Sequence, residues 1–186
     1  MRQGELIGLQ WGDVDFHGSF IEIRRAIVRG RETTPKNHKP RRVDMSQQLR
    51  DVLKALQECR QLDAMAKGVA LPEWVFLSPT GFRWEERSLR WCWAKCLRAS
   101  GLRRVRFHDL RHTYASHLID LGAHAKYIQE QLGHSSIQVT MDIYGHLFPN
   151  RNKGWVNRLD EGSGEAHSAT QAQPGMEIAE GRRLSA

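Results

Sequence analysis

Apolar positions along the chain change period several times, and each change predicts an element. "RQGELIGLQW" has Leu6 and Leu9 at helical spacing with no capping residue ahead of them. It therefore predicts a helix entered from upstream, and a chain that starts inside its natural protein. In "SFIEIRRAIV", Ile21, Ile23 and Ile27 fall on alternate positions in a β-branched run, which predicts a strand. "RGRETTPKNHKP" is polar and turn-rich, and "RRVDM" predicts a second short strand with Val43 and Met45 on one side. The two strands predict a hairpin with a long basic tip.

Helical spacing then takes over. Leu49, Val52, Leu53 and Leu56 follow the i, i+3, i+4, i+7 rule from Ser46 onward, and Gly68 supplies a stop. "WVFLSPTG" reads as a short strand ending in a turn at Pro79 and Gly81. "ERSLRWCWAKCLRASG" predicts an amphipathic helix with Leu89, Trp93 and Cys96 inward. "HDLRHTYASHLIDLG" predicts another with Leu110, Tyr114, Leu118 and Leu121 as its stripe. "AKYIQEQLG" is a short helix closed by Gly133. Ser135 then caps the next helix, with Gln138 completing a capping box. On that helix Tyr144 shares a face with Ile137 and Met141. Tyr114 and Tyr127 sit in apolar stripes and read as core, as do most of the six tryptophans. No internal repeat is visible. After about Leu159 the composition turns Gly/Ser/Ala/Gln-rich, which predicts a domain over residues 1–159 and a flexible tail over 160–186.

Composition adds a partner. The 186 residues suffice for one domain with a proper core, and 40% hydrophobic with 26% charged residues is globular usage. No apolar run approaches the roughly 20 residues that cross a bilayer, and the N-terminus lacks a signal-peptide pattern. Three cysteines, Cys59, Cys92 and Cys96, make no disulfide framework and suggest a reducing compartment; they read as core residues. The net charge of +7 is concentrated. Residues 24–42 carry eight Lys/Arg against one acid, and residues 83–106 carry eight against two. Such dense clusters point to a phosphate-contacting surface, with nucleic acid the first candidate.

Several groups could grip a phosphate: Arg2, Lys36 and Lys39 in the hairpin tip, His108 and Arg111 one helical turn apart, His134 between two helices, and Tyr144 ten residues on. Arginine suits a phosphodiester because its planar fork donates two parallel hydrogen bonds. His108 and His112 are spaced i, i+4, yet no Glu stands between them and Arg111 repels a cation, so no metal site is expected. His117, His124 and His146 read as surface histidines.

The order R…K…HxxR…H…Y resembles the tyrosine recombinases, also called phage integrases. "MRQGELIGLQWGDVDF", "TPKNHKPRRVDM", "FHDLRHTYASHL" and "LGHSSIQVTMDIYGH" carry the resemblance over residues 2–148. It implies an α+β, mainly α-helical catalytic domain with a small antiparallel β-sheet bearing the lysine hairpin. It implies site-specific DNA cleavage and rejoining through a 3′-phosphotyrosyl link, with no metal and no nucleotide cofactor. By position, Tyr144 is the nucleophile, and Arg2 and Arg111 clamp the phosphate. Lys36, rather than Lys39, protonates the leaving oxygen. His108 assists proton transfer from the tyrosine, and His134 hydrogen-bonds a phosphate oxygen. Glu5 orients the Arg2 segment, and Asp109 favours the start of its helix. Lys39, Arg41, Arg42, Arg87, Arg90 and Arg104 are the expected DNA contacts. The implied partner is double-stranded DNA in the cytoplasm, bound as a tetramer by the full-length protein, with no membrane. The family usually carries an N-terminal DNA-clamping domain, and these residues show none. Two rivals stay open: a type IB topoisomerase-like enzyme, which shares the chemistry, and a non-catalytic DNA-binding remnant.

Overall fold

Helix α1 (Gln3–Ile7) is capped from within. The Glu5 carboxylate reaches back to accept the Arg2 amide at 2.6 Å, so the cap that sequence placed upstream is supplied one turn downstream. Gly4 lets α1 lie on the next sheet element, because a Cβ there would clash with the Ile27 carbonyl oxygen. The computed structural model describes residues 1–33 and 40–148. Lys36, Lys39, Trp155 and the expected tail over 160–186 lie outside the described residues.

Strands β1 (Val14–Asp15), β2 (Phe20–Ile23) and β5 (Arg41–Asp44) form an antiparallel sheet in the order β1-β2-β5. Ile21 pairs with Val43, and Ile23 with Arg41. The single strand expected over 19–28 is split. Arg25 folds back to the buried Asp13 carboxylate at 2.5 Å, and the chain restarts as β3 (Ala26–Val28), which pairs only with β4 (Arg31–Thr33). The hairpin is thus a β2–β5 pair with a two-stranded ribbon inserted before the basic tip. Ile21, Ile23, Val43 and Met45 face one side, where Leu9, Trp11, Val14, Leu53 and Val75 complete a core.

The expected strand at "WVFLSPTG" does not form. Val75 instead donates its amide to the Leu9 carbonyl at 3.0 Å, and isolated bridges replace a ladder. Helix α2 (Gln47–Ala66) starts at Ser46, whose hydroxyl accepts the Leu49 amide at 3.2 Å. It meets the core through Leu53 and Leu56, leaving Leu49 and Val52 exposed, with no element covering that side among the described residues. On α3 (Glu86–Ala99), Leu97 is the buried residue, Leu89 and Trp93 are half-buried and Cys96 faces solvent. Cys59 is also exposed and Cys92 half-buried, so the cysteines are not core residues. Trp11 is buried, Trp74, Trp84 and Trp93 are half-buried, and Trp91 is exposed.

Helices α4 (Asp109–Asp120), α5 (Ala125–Leu132) and α6 (Ile137–Tyr144) enclose a second core of Ala115, Ile119, Ile128, Leu132 and Tyr144. The α4 stripe is rotated from the expected one. Arg111, Ala115 and Ile119 face inward, Leu118 is half-buried against the core as expected, and Leu110, Tyr114 and Leu121 are exposed. Small Ala115 has no exposed surface, consistent with close packing of the helices there. Tyr114 and Tyr127 are about one-third exposed, not core, and the Tyr127 hydroxyl donates to Asp44 at 2.9 Å. On α6, Thr140 and Tyr144 are buried while Ile137 and Met141 are exposed. Ser136, not Ser135, flanks its start with no side-chain cap, since Gln138 pairs with Asp142 at 2.7 Å.

Candidate active site

The end of α5 is the centre of the site. Gly133 takes φ +65°, the left-handed value that closes a helix, and directs its amide and that of His134 back to the Glu130 and Gln129 carbonyls. Two carbonyls then face outward, and an arginine takes each. Arg2 Nη2 donates to the Gly133 oxygen at 3.1 Å, and Arg111 Nη2 donates to that of Leu132. Residues 131 apart in sequence, Arg2 and Gly133, thus meet directly.

Glu5 fixes the arginine side of this arrangement. Its carboxylate is 3% exposed and accepts Arg2 Nη1 at 3.1 Å and Arg41 Nη1 and Nη2 at 3.0 and 2.7 Å. Burial alone would raise this carboxyl, but the hydrogen bonds and charge of Arg41, with those of Arg2, bring it down to about 2. Arg41 also lies against the α5 terminus: a Cβ on Gly133 would stand 2.6 Å from its Cζ. Gln131 fastens α5 to β5 alongside, accepting the Asp44 amide at 3.0 Å and donating to the Asp44 carboxylate at 3.2 Å.

Arg111 is buried, and burial followed by the charge of Arg2 lowers it to about 10, so it stays cationic at neutral pH. Its Nη1 has no hydrogen-bond partner among the described residues. Arg2 and Arg41 thus share one carboxylate with Arg111 close by, and two buried donors, Arg41 Nε and Arg111 Nη1, are unspent among the described residues. Such an imbalance suits an anion.

The other wall carries the aromatic groups. His134 Nδ1 lies 2.8 Å from the Thr140 hydroxyl, and its ring stacks on Tyr144 with centroids 6.4 Å apart. Burial, then the charges of Arg111, Arg2 and Arg41, push His134 down to about 4, leaving it neutral at pH 7. Tyr144 is 3% exposed; burial raises its phenol, partly offset by Arg111. Its hydroxyl lies 2.8 Å from His112 Nδ1.

Arg2, Arg111, His134 and Tyr144 are thus brought together with Glu5 beneath. His108, expected to help the tyrosine proton, sits at the exposed start of α4 with its ring edge-on to His112 at 5.1 Å. The half-buried His112 intervenes between it and Tyr144, its ring 5.1 Å from that of His108 and 5.8 Å from that of Tyr144. Asp109 accepts the Arg106 amide at 2.8 Å and pairs with its guanidinium, away from Glu5 and Arg41. Arg41, expected on DNA, is committed to Glu5. Strand parity could have found this, because Arg41 shares its face with Val43 and Met45. Arg42 faces the other way, over the Phe20 ring at 4.3 Å, and Arg87, Arg90 and Arg104 are exposed. His117, His124 and His146 are exposed as expected. Sequence reasoning missed His112 and Thr140; for neither does spacing alone name the partner.

A sequence model described as the phage integrase family matches residues 1–151. The chain belongs to the phage integrase family. Among its relatives, a "Tyrosine recombinase XerC-like" protein of Caldanaerobacter subterraneus subsp. tengcongensis is 30% identical over 180 residues, covering 87% of this chain and 46% of the relative. Tyrosine recombinase XerC of Corynebacterium efficiens is 34% identical over 151 residues, covering 81% and 44%. The chain therefore spans less than half the length of these integrase-family relatives. The fold agrees with solved structures. XerA recombinase superposes with a TM-score of 0.60 at 24% identity, covering 93% of this chain and 54% of that one. The Tn1549 transposon integrase, solved in complex with circular intermediate DNA, superposes at 0.63 and 20%, covering 90% and 55%. The expected α+β fold, mainly helical with a small antiparallel sheet, is the one observed.

Proposed function

We propose that this phage integrase-family chain is the catalytic part of a site-specific DNA recombinase. One observation carries the reading: Arg2 and Arg111, from distant segments of the chain, converge on consecutive carbonyls beside His134, leaving a buried Arg111 donor unpaired among the described residues. In the reaction, the Tyr144 hydroxyl attacks the scissile phosphorus. A 3′-phosphotyrosyl bond forms and the 5′-oxygen leaves with the electron pair of its P–O bond. A 5′-hydroxyl, from the same or a second duplex, reverses the step and rejoins the strands. Arg2 and Arg111 meet the two non-bridging oxygens, whose charge grows in the pentacoordinate transition state. Neutral His134 donates Nε2–H to one of them while Thr140 holds its Nδ1. Lys36 supplies the proton to the leaving oxygen. Arg42, Arg87, Arg90, Arg104 and Lys39 contact the backbone of double-stranded DNA. The full-length protein acts as a tetramer on two duplexes, in the cytoplasm with its DNA.

A nicked suicide duplex carrying the target site tests this, because loss of the short 5′-fragment traps the covalent link. The chain should give an SDS-stable protein–DNA adduct with the label on the 3′-phosphate side, and Tyr144→Phe should give none. DNA binding without an adduct from either protein would leave a DNA-binding remnant as the reading.

A further inference from the structure

The phenol of Tyr144 has to lose a proton to attack, and the roles given to Arg2, Arg111, His134 and Lys36 leave the acceptor of that proton unassigned. Tyr144 is buried as a residue in the core formed by α4, α5 and its own helix α6. Its one polar partner among the described residues is His112 Nδ1, at 2.8 Å. We propose, resting on Tyr144 as nucleophile, that His112 is the proton acceptor for the tyrosine. Its Nδ1 takes the phenolic proton as the Tyr144 Oη–P bond forms, and returns it when the strand is rejoined. Proton and electron balance follow: the P–O5′ pair leaves with the 5′-oxygen, which takes a proton from the Lys36 ammonium, and His112 holds the tyrosine's proton as imidazolium. Rejoining runs both transfers backward.

The geometry sets the roles. For Oη to donate, neutral His112 must carry its own proton on Nε2. The groups that bear on it are His108 at the start of its helix, Asp109 one turn before it, His134 from the α5–α6 turn and Tyr144 of α6. Ala115 and Ile119 of α4 pack in one core with Tyr144, and the half-buried His112 one turn before them meets the phenol. His108 is one turn further out and edge-on, which leaves it free for another partner.

Three variants decide the matter in the suicide-substrate assay, each first checked for a wild-type thermal transition. His112→Ala removes the acceptor, and adduct formation should slow by roughly 100-fold or more, the usual yield of a positioned general base. His112→Asn puts an amide oxygen near the Nδ1 position; it keeps a hydrogen bond but cannot take a proton, and should be as slow. Added imidazole should restore His112→Ala in proportion to its neutral form, and should not restore Tyr144→Phe. The proposal is overturned if His112→Asn reacts within a few-fold of wild type, which would make the contact one of orientation. It is also overturned if His112→Ala is faster than wild type, which would make it a latch, or if imidazole leaves the His112→Ala rate unmoved. Absence of any adduct from the wild-type chain would instead bring down the recombinase reading on which this rests.

Discussion

Replacing Glu5 by Gln keeps the shape of the side chain and removes the charge that holds two arginines. Glu5 is buried, accepts three guanidinium hydrogen bonds and also caps α1. A glutamine offers one acceptor oxygen in place of two and turns an NH2 toward Arg41. Breaking one side of a buried ion pair costs about 3–5 kcal/mol, because the remaining charges stay desolvated. The carboxyl's own displacement, from 4.5 to about 2, points to a similar size; by linkage it corresponds to roughly 3 kcal/mol at neutral pH. The sign follows from the folded value lying below the unfolded one. Glu5 stabilises the fold in full above pH 4.5, and that contribution drains away as pH falls toward about 2, while the variant has nothing there to lose. Urea unfolding of both proteins should therefore show a midpoint gap worth about 3 kcal/mol at pH 7 with equal slopes. The gap should shrink to less than half by pH 3. A gap under about 1 kcal/mol at pH 7, or one unchanged at pH 3, would refute the brace.

Two further outcomes probe the neighbours of this brace. Gly133→Ala should lose about 1–3 kcal/mol from its left-handed backbone, and more from the clash with Arg41; Gly133→Asn, which tolerates the backbone angle, should still lose the clash part and the adduct. Arg104→Ala and Arg42→Ala should each lower the slope of log K against log salt by about 0.9 for every phosphate no longer neutralised, in a binding titration from 50 to 200 mM salt, whereas Arg41→Ala should act on stability first.

How far the molecule could be read from sequence depends on the range over which each signal acts. Local chemistry came through: Ser46 caps α2, Gly133 closes α5, and Val43 and Met45 share a buried face. The order of arginines, histidines and tyrosine identified a site whose Arg2, Arg111, His134 and Tyr144 are indeed assembled. Helix faces did not come through. On α4 apolar residues lie on both sides, so period alone cannot choose between Leu110–Tyr114–Leu121 and Ala115–Ile119; tertiary packing selects the side with the small residue. Arg41 was misassigned because a charge in a basic run looks solvated, although its parity in β5 turns it inward. His112 and Tyr144 are 32 residues apart, and no spacing rule joins their side chains.

The assembly also explains why Arg2 and Arg111 each spend one nitrogen on a backbone carbonyl. An arginine clamped on both faces by carboxylates would carry no net charge to offer. Here Arg111 spends Nη2 on the Leu132 carbonyl and Arg2 spends Nη2 on that of Gly133, neutral acceptors that orient the guanidinium planes without cancelling their charge. Glu5 supplies a single negative charge to Arg2 and Arg41 together, enough to keep three buried or half-buried cations from repelling the fold apart, and too little to neutralise them. The residual charge sits beside Arg111 Nη1, a buried donor without a partner among the described residues. In the proposed reaction that charge is present before the phosphate arrives, in a place where water is scarce, so it need not reorganise as the extra negative charge of the transition state develops. The same scarcity of water raises the phenol of Tyr144. Burial that strengthens the pull of the arginines on a phosphate thus penalises the phenolate, and a base within hydrogen-bond reach of the hydroxyl is what reconciles the two.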